Sequence, residues 1–416
     1  MTHPPFSLKQ YGLDTFSSLK IRNYRLYYTG QVISTSGTFM QSIAQAWLVL
    51  KLTDSGTALG VVTALQYLPL LFLSPYGGLI ADRFSKRTIL YLTQSILGVL
   101  ALILGVLVAT GWVTLWSVYL LGFCLGLVSM VDNPVRQSFV VEMVGEAELR
   151  NAVTLYSTLV NLARVIGPAI AAAIIAAFGL APCFVINGIS YAAVVIMLVR
   201  MNPAELRASP PVARSKGQLR QGFQYMLSHP VLRNALLMMA IIGTLTFEFQ
   251  VSLPLIARFT FHGNAGSYAL LSSAMGIGAV AGGLFIAAQK TISPDRLVRA
   301  ALPFGLTVLA AAFMPSLSLT VVAMVLAGAT SIAFISLGNS LLQLESAPQM
   351  RGRVMAFWSI AFLGSSTIGG PIIGWFGEFI GPRWGLAIGG LAALVAAALG
   401  WRAFGRERIR RQVGDA

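Results

Sequence analysis

Apolar runs of about 18 to 25 residues recur along the chain, and each is long enough to cross a hydrocarbon core roughly 30 Å thick as a helix. In lipid every backbone N–H and C=O must be satisfied internally, which leaves helices or closed barrels. A barrel would show short alternating segments, so helices are expected. A mean hydropathy of +0.75 with only 10% charged residues rules out reading the 416 residues as soluble domains. Twelve spans are expected, near 26–50, 57–81, 87–109, 112–133, 150–178, 181–200, 233–258, 265–288, 297–314, 316–340, 353–376 and 381–401. The first twenty residues have no apolar core and no small-residue cleavage site, so the first span is the expected insertion signal.

Charge sets the orientation. With both termini cytoplasmic, 25 of the 29 Lys and Arg residues fall on the cytoplasmic side and three, Lys51, Arg258 and Arg383, on the other. One more, Arg164, lies within a span. This bias predicts cytoplasmic termini. The net charge of +15 then reports membrane orientation, and nucleic-acid binding is not needed to explain it. Cys124 and Cys183 both fall within spans, and His3, His229 and His262 are isolated in loops, so no disulfide framework or metal site is expected. No phosphate-binding glycine loop, metal-ligand cluster or nucleophile triad points to an enzyme, a cofactor or ATP-driven transport.

The longest polar stretch between spans, residues 202–230, carries paired prolines and several bases. It divides the chain into an expected six-helix unit (1–200), a linker (201–230) and a second six-helix unit (231–416). The halves echo each other. "ELRNAV" before Thr154 matches "QMRGRV" before Met355, Gly167-Pro168 recurs as Gly370-Pro371, and "GGL" at Gly77 recurs at Gly282. The common offset of 201 to 205 residues reads as a duplicated unit.

Between spans two and three stands "GGLIADRFSKR". Topology alone calls for bases there. Gly77 and Gly78 permit close helix approach, and Asp82 is an acid in a turn expected to be basic. At Gly77, Gly78, Leu79, Ala81, Asp82, Arg83, Lys86 and Arg87 the chain resembles the major facilitator superfamily, with Ser85 in place of the usual second glycine. The resemblance covers the whole chain. It implies an all-α membrane protein of two pseudo-symmetric six-helix bundles, working as a monomer by alternating access, in which Asp82 caps the cytoplasmic start of span eleven. Arg351 and Arg353 are its local ion-pair competitors. "RNYRLYYTGQVIS", "DNPVRQSFVVEMV", "NLARVIGPAIAA" and "RGRVMAFWSIAFLG" are similar to the subgroup of enterobactin exporters and macrolide efflux proteins, which implies export from the bacterial inner membrane by proton antiport. Drug antiporters of the wider superfamily carry an Arg in span four and G-P-x-x-G-G in span five. The stretch assigned to span four has no Arg, and Gly167-Pro168 is followed by Ala171-Ala172.

Span one carries Gln31, Ser34, Thr38, Gln41 and Gln45 at spacings that put all five on one helical face. A polar stripe in lipid faces protein or water, as helix-to-helix hydrogen bonds or as a cavity wall, and the resemblance favours the wall. Glu248 lies about fifteen residues into span seven. An ionised carboxylate at that depth costs at least about 2.5 kcal/mol, so it must be paired, hydrated or protonated, and it is the expected proton carrier. Arg164 is expected at similar depth, meeting Glu248 between the halves, holding an anionic substrate, or standing as a structural Arg satisfied by helix-end carbonyls. Asp132-Asn133-Pro134 reads as the end of span four. Glu142, Glu146 and Glu148 then form an acidic loop with no transport role. These features favour a proton-coupled exporter of a siderophore or amphipathic drug-like molecule. A lysophospholipid transporter and a non-transporting membrane receptor are the alternatives.

Overall fold

The computed structural model describes residues 16–207, 218–287 and 292–414, with side chains throughout except at 74–79, 81–83, 218–219, 287 and 406–414. All described secondary structure is helical. In chain order the helices are α1 Arg22–Thr53, α2 Gly56–Arg83, α3 Lys86–Thr110, α4 Leu115–Phe178, α5 Ala181–Arg200, α6 Gln218–Ser228, α7 Pro230–Leu245, α8 Phe249–Leu255, α9 Ala265–Ala287, α10 Pro294–Phe313, α11 Leu317–Glu345, α12 Arg351–Ser359, α13 Ser366–Phe379 and α14 Pro382–Gly414.

Ten stretches among the described residues are long and apolar enough to cross a membrane. Two further crossings complete the expected twelve. α1 falls short of that apolarity because of its polar stripe, and α4 runs for 64 residues and turns back at Gly145. Gly145 takes φ 71° and ψ 178°, a conformation that L side chains rarely adopt, so glycine makes this turn possible. An even number of crossings puts both termini on one face, here called the termini face.

Several expected boundaries move. Span four does not end at Asn133. The helix continues through Pro134 to the Gly145 turn, because a membrane helix tolerates proline where neighbouring helices pack around it. Arg136 is therefore inside the span, which corrects the reading that span four lacks an Arg. Spans seven and eleven are interrupted. α7 stops at Leu245, the chain leaves helical geometry at Glu248 (φ −81°, ψ 39°), and α8 leads into a π-helical turn, Ile256–Thr260. A second π-helical turn, Ile360–Gly364, joins α12 to α13.

α1, α2 and α3 pack on α4 and α5, while α9, α10, α11 and α14 pack on one another and on α7. The two most extensive pairings between the first five helices and the later ones are α2 with α13 and α4 with α9, and smaller ones join α8 to α1 and α2 and α9 to α1. Gly167 lies against Ser36, Phe39 and Met40 of α1, and Gly369 lies against Thr244 of α7. Gly370, the glycine of the second Gly-Pro, lies against Gly60 and Thr63 of α2, so the first Gly-Pro marks a close approach to α1 and the second a close approach across to α2.

Candidate functional site

Span seven leaves helical geometry at Thr246–Glu248 and resumes as the short α8, within which Pro254 has no N–H to give to the Gln250 carbonyl. The N–H groups of Thr246 and Phe247 both donate to Ile242 O (2.8 and 3.2 Å), and Glu248 O accepts from Val251 and Ser252 N, each at 3.0 Å. Thr246 Oγ1 ties the break to Gly389 O of α14 at 2.7 Å. Glu248, 3% exposed, turns its carboxylate toward α13, where Ser366 and Gly369 stand. Its Oε1 has no hydrogen-bond partner among the described residues. A buried carboxyl oxygen without a partner at a helix break is poised to carry a proton or to receive a donor from a ligand.

Beside it lies a cavity of about 190 Å³ lined by Thr38, Gln41, Gln45, Thr63, Gln66, Tyr67, Asn187, Tyr191 and Gln250, among others. Five carboxamides and two phenols meet there, and among the described residues no Asp, Glu, Lys or Arg side chain lines the wall. Asn187 Nδ2 donates to Gln41 Oε1 at 2.6 Å, and Thr38 Oγ1 and Tyr191 Oη are 3.3 Å apart. Each carboxamide offers both a donor and an acceptor, so the wall suits a ligand rich in hydrogen-bonding groups.

The polar face of α1 therefore divides. Thr38, Gln41 and Gln45 line the cavity, whereas Gln31 and Ser34 are buried elsewhere. Gln31 Oε1 accepts from Arg136 NH1 at 3.4 Å, within a cluster that sequence reasoning missed. Asp132 is fully buried and forms an ion pair with Arg136, four residues on. Its Oδ1 accepts from Thr93 Oγ1 at 2.7 Å and Gln94 Nε2 at 2.8 Å, and Arg136 NH1 donates to Tyr156 Oη at 3.2 Å. Asp132 is thus a second buried acid within a helix of the bundle, besides Glu248. The i, i+4 spacing of an acid and a base was the available signal, and Pro134 between them hid it.

Arg164 does not meet Glu248. None of the described ion pairs joins them. The guanidinium lies 5.8 Å from the Phe39 ring centroid, and Tyr67 of the cavity wall is within electrostatic reach of both Arg164 and Glu248. The reason is packing. Ser273 Oγ of α9 donates to Val165 O at 2.9 Å and Gly276 lies against the Arg164 backbone, so this part of α4 faces α9, while Glu248 faces α13.

In the motif after span two, the side chains of Gly77, Gly78, Asp82 and Arg83 lie outside the described residues. Lys86 Nζ pairs with Glu142 Oε1 at 2.5 Å, and Arg87 donates to the last carbonyls of α5, Leu198 O (3.0 Å) and Val199 O (3.1 Å). Both bases thus anchor α3 to neighbouring helix ends, where a cation is favoured. Gly167 and Pro168 are buried against α1. Arg351 Nε donates to Gln343 O at 2.9 Å, and Arg353 NH1 donates to Gln221 Oε1 of α6 at 3.0 Å.

Comparison with known proteins settles the family. The model of the transmembrane secretion effector family matches residues 13–408. The chain belongs to this family. It is a major facilitator superfamily transporter, not an enzyme, and a multi-pass inner-membrane protein. Among similar secretion effectors and other transporters, the enterobactin exporter EntS of Citrobacter koseri is 23% identical, with 94% of this chain and 93% of that protein covered. The staphyloferrin A transporter of Staphylococcus aureus is 25% identical over 62% of this chain, a match that spans 64% of that protein's own length. The nucleoside transporter NupG shares the fold at a TM-score of 0.71 and 14% identity, covering 93% of this chain and 99% of that one. A bacterial homolog of the human lysosomal transporter Spinster, in an inward-facing and unoccupied conformation, does so at 0.68 and 16%, covering 94% and 97%.

Proposed function

We propose that this secretion effector is a proton-coupled antiporter that exports an amphipathic organic molecule, a siderophore or a drug-like compound, by alternating access. One observation carries the reading. Glu248 is buried at the break of span seven with Oε1 unpartnered, beside a cavity walled by carboxamides. An acid in that position alternates between a protonated and an ionised form as the cavity changes sides. Gln41, Gln45 and Thr38 bind substrate together with Gln66, Asn187 and Gln250. Arg164, above Phe39, holds an anionic part of the substrate. The Asp132–Arg136 pair, with Gln31 hydrogen-bonded to Arg136, supports the cavity from the termini face.

The protein works as a monomer in the lipid bilayer, with small organic substrate and protons as its partners. Residues 1–200 and 231–416 are the two rocking units and 201–230 is their cytoplasmic link. The charge bias puts the termini face in the cytoplasm. Gly77, Gly78, Asp82 and Arg83 gate that face against α12 and its Arg351 and Arg353, while Lys86 and Arg87 fix the turn that carries them. The relatives named as a staphyloferrin A transporter and an enterobactin exporter make a siderophore the leading substrate class.

The test begins with metabolite profiling of medium from a deletion strain, grown with and without iron, to find the missing compound. Everted vesicles should then accumulate that compound when the lumen is acidified, and a protonophore should abolish the accumulation. Accumulation that persists with the gradient collapsed rejects antiport.

A further inference from the structure

The face opposite the termini is held by one short turn. Between α1 and α2 the chain runs Asp54-Ser55-Gly56-Thr57, and side chains from two helices of the other half grip it. Arg258, in the π-helical turn after α8, forms an ion pair with Asp54 and lies over the rings of Trp47 (5.8 Å) and Phe259 (5.6 Å). Glu378, at the C-terminal end of α13, accepts from Ser55 Oγ at 2.7 Å and Thr57 N at 2.8 Å through the same oxygen, Oε2. Ser55 is the N-cap of α2, and its hydroxyl also accepts from Ala58 N at 3.0 Å. The first turn of α2 therefore has donors satisfied both by its own cap and by a carboxylate from across the interface.

Below this grip the two helices are in backbone contact. A Cβ on Gly60 would overlap the carbonyl of Gly370, and one on Gly374 would overlap the carbonyl of Gly56. No side chain fits between α2 and α13 here, so the pair closes fully at this face. Toward the termini face the same span behaves differently, and α12 packs chiefly on α6, α7 and α11.

We propose that Glu378, with Arg258, is the latch of the outer face: it caps the N-terminus of α2 from the far half of the molecule and holds that face shut while the termini face is free to open. The chemistry fits the task. A carboxylate at a helix N-terminus is attracted by the helix dipole and by the free N–H groups, but only over the first turn, so the grip is short-ranged and lost in one step when the halves rock apart. Because Glu378 is exposed, the grip is weak enough to release in each cycle. In this arrangement α2 meets the second half through its capped N-terminus on the outer face.

The latch rests on the alternating-access reading, but its test needs no substrate. In a background with Cys124→Ala and Cys183→Ala, spin labels are placed at Lys51→Cys and Ile380→Cys, both exposed on the latched face, and their distance is measured by pulsed EPR in lipid nanodiscs. The parent should show a dominant short distance. Glu378→Ala should raise the ratio of long to short distances about fivefold or more. Glu378→Gln, which keeps an acceptor and loses the charge, should give a smaller shift, and Ser55→Ala a shift in the same direction. A distance distribution in Glu378→Ala that matches the parent overturns the latch. So does a full shift in an Arg258→Ala control with none in either Glu378 variant. A vesicle assay that finds no proton-driven export, alongside shifted distances, rejects the transport reading and leaves the latch standing.

Discussion

Gly369 stands over Glu248. A Cβ at this position would lie 3.1 Å from Glu248 Oε1 and would overlap the carbonyl of Thr244, so α13 can close on the broken span only because residue 369 has no side chain. Gly369→Ala should push the two helices apart and cost about 1–3 kcal/mol through overpacking. The check is the thermal midpoint of the purified protein in detergent, together with labelling of Glu248 by a water-soluble carbodiimide. Labelling should rise as the slot opens. Parental stability and labelling would mean that α13 does not seal the acid.

The Asp132–Arg136 pair should behave as one buried unit. Asp132→Leu or Arg136→Leu alone leaves a charge without its partner and should destabilise the protein by about 3–5 kcal/mol, read from denaturation of the solubilised protein. The double substitution should recover much of that loss. Two additive single losses would show that the residues act independently.

Much of this architecture could be read from the residues, and the misreadings have physical causes. Most crossings are legible from apolar length, although α1 with its polar stripe falls below the apolarity of the others, and the repeated Gly-Pro marks close approaches at Gly167 and Gly370. Pro134 reads as a stop because proline ends helices in water, whereas in lipid the helix continues and carries Arg136 into the bundle. The shared face of Gln31 to Gln45 was visible, but its division between two sites depends on where Arg136 and Asn187 arrive from other helices. Asn187, Gln66 and Gln250 join Gln41 and Gln45 only in three dimensions, because no spacing in the chain links four different spans. Glu248 stands out in the sequence by its depth, yet the break beside it is held by packing against α13 and α14.

The carboxamide wall makes a prediction about substrate. Asn187→Ala leaves Gln41 Oε1 without its 2.6 Å donor, and an unmade buried hydrogen bond costs about 1–3 kcal/mol. Substrate affinity should fall about tenfold or more for this variant and for Gln45→Ala, measured by calorimetry with the compound found in the profiling. Arg164→Ala should weaken an anionic substrate further and leave its neutral ester nearly unaffected. Equal loss for both forms would remove the charge-holding role from Arg164.

Glu248→Gln tests the central claim most directly, since glutamine keeps the shape of the acid and cannot take up or release a proton. In everted vesicles with an acidified lumen, the variant should fail to concentrate substrate, while its downhill exchange of labelled for unlabelled substrate continues at a rate near the parent's. Concentrative, protonophore-sensitive uptake by Glu248→Gln at the parent's level would contradict the assignment of proton coupling to the broken seventh span.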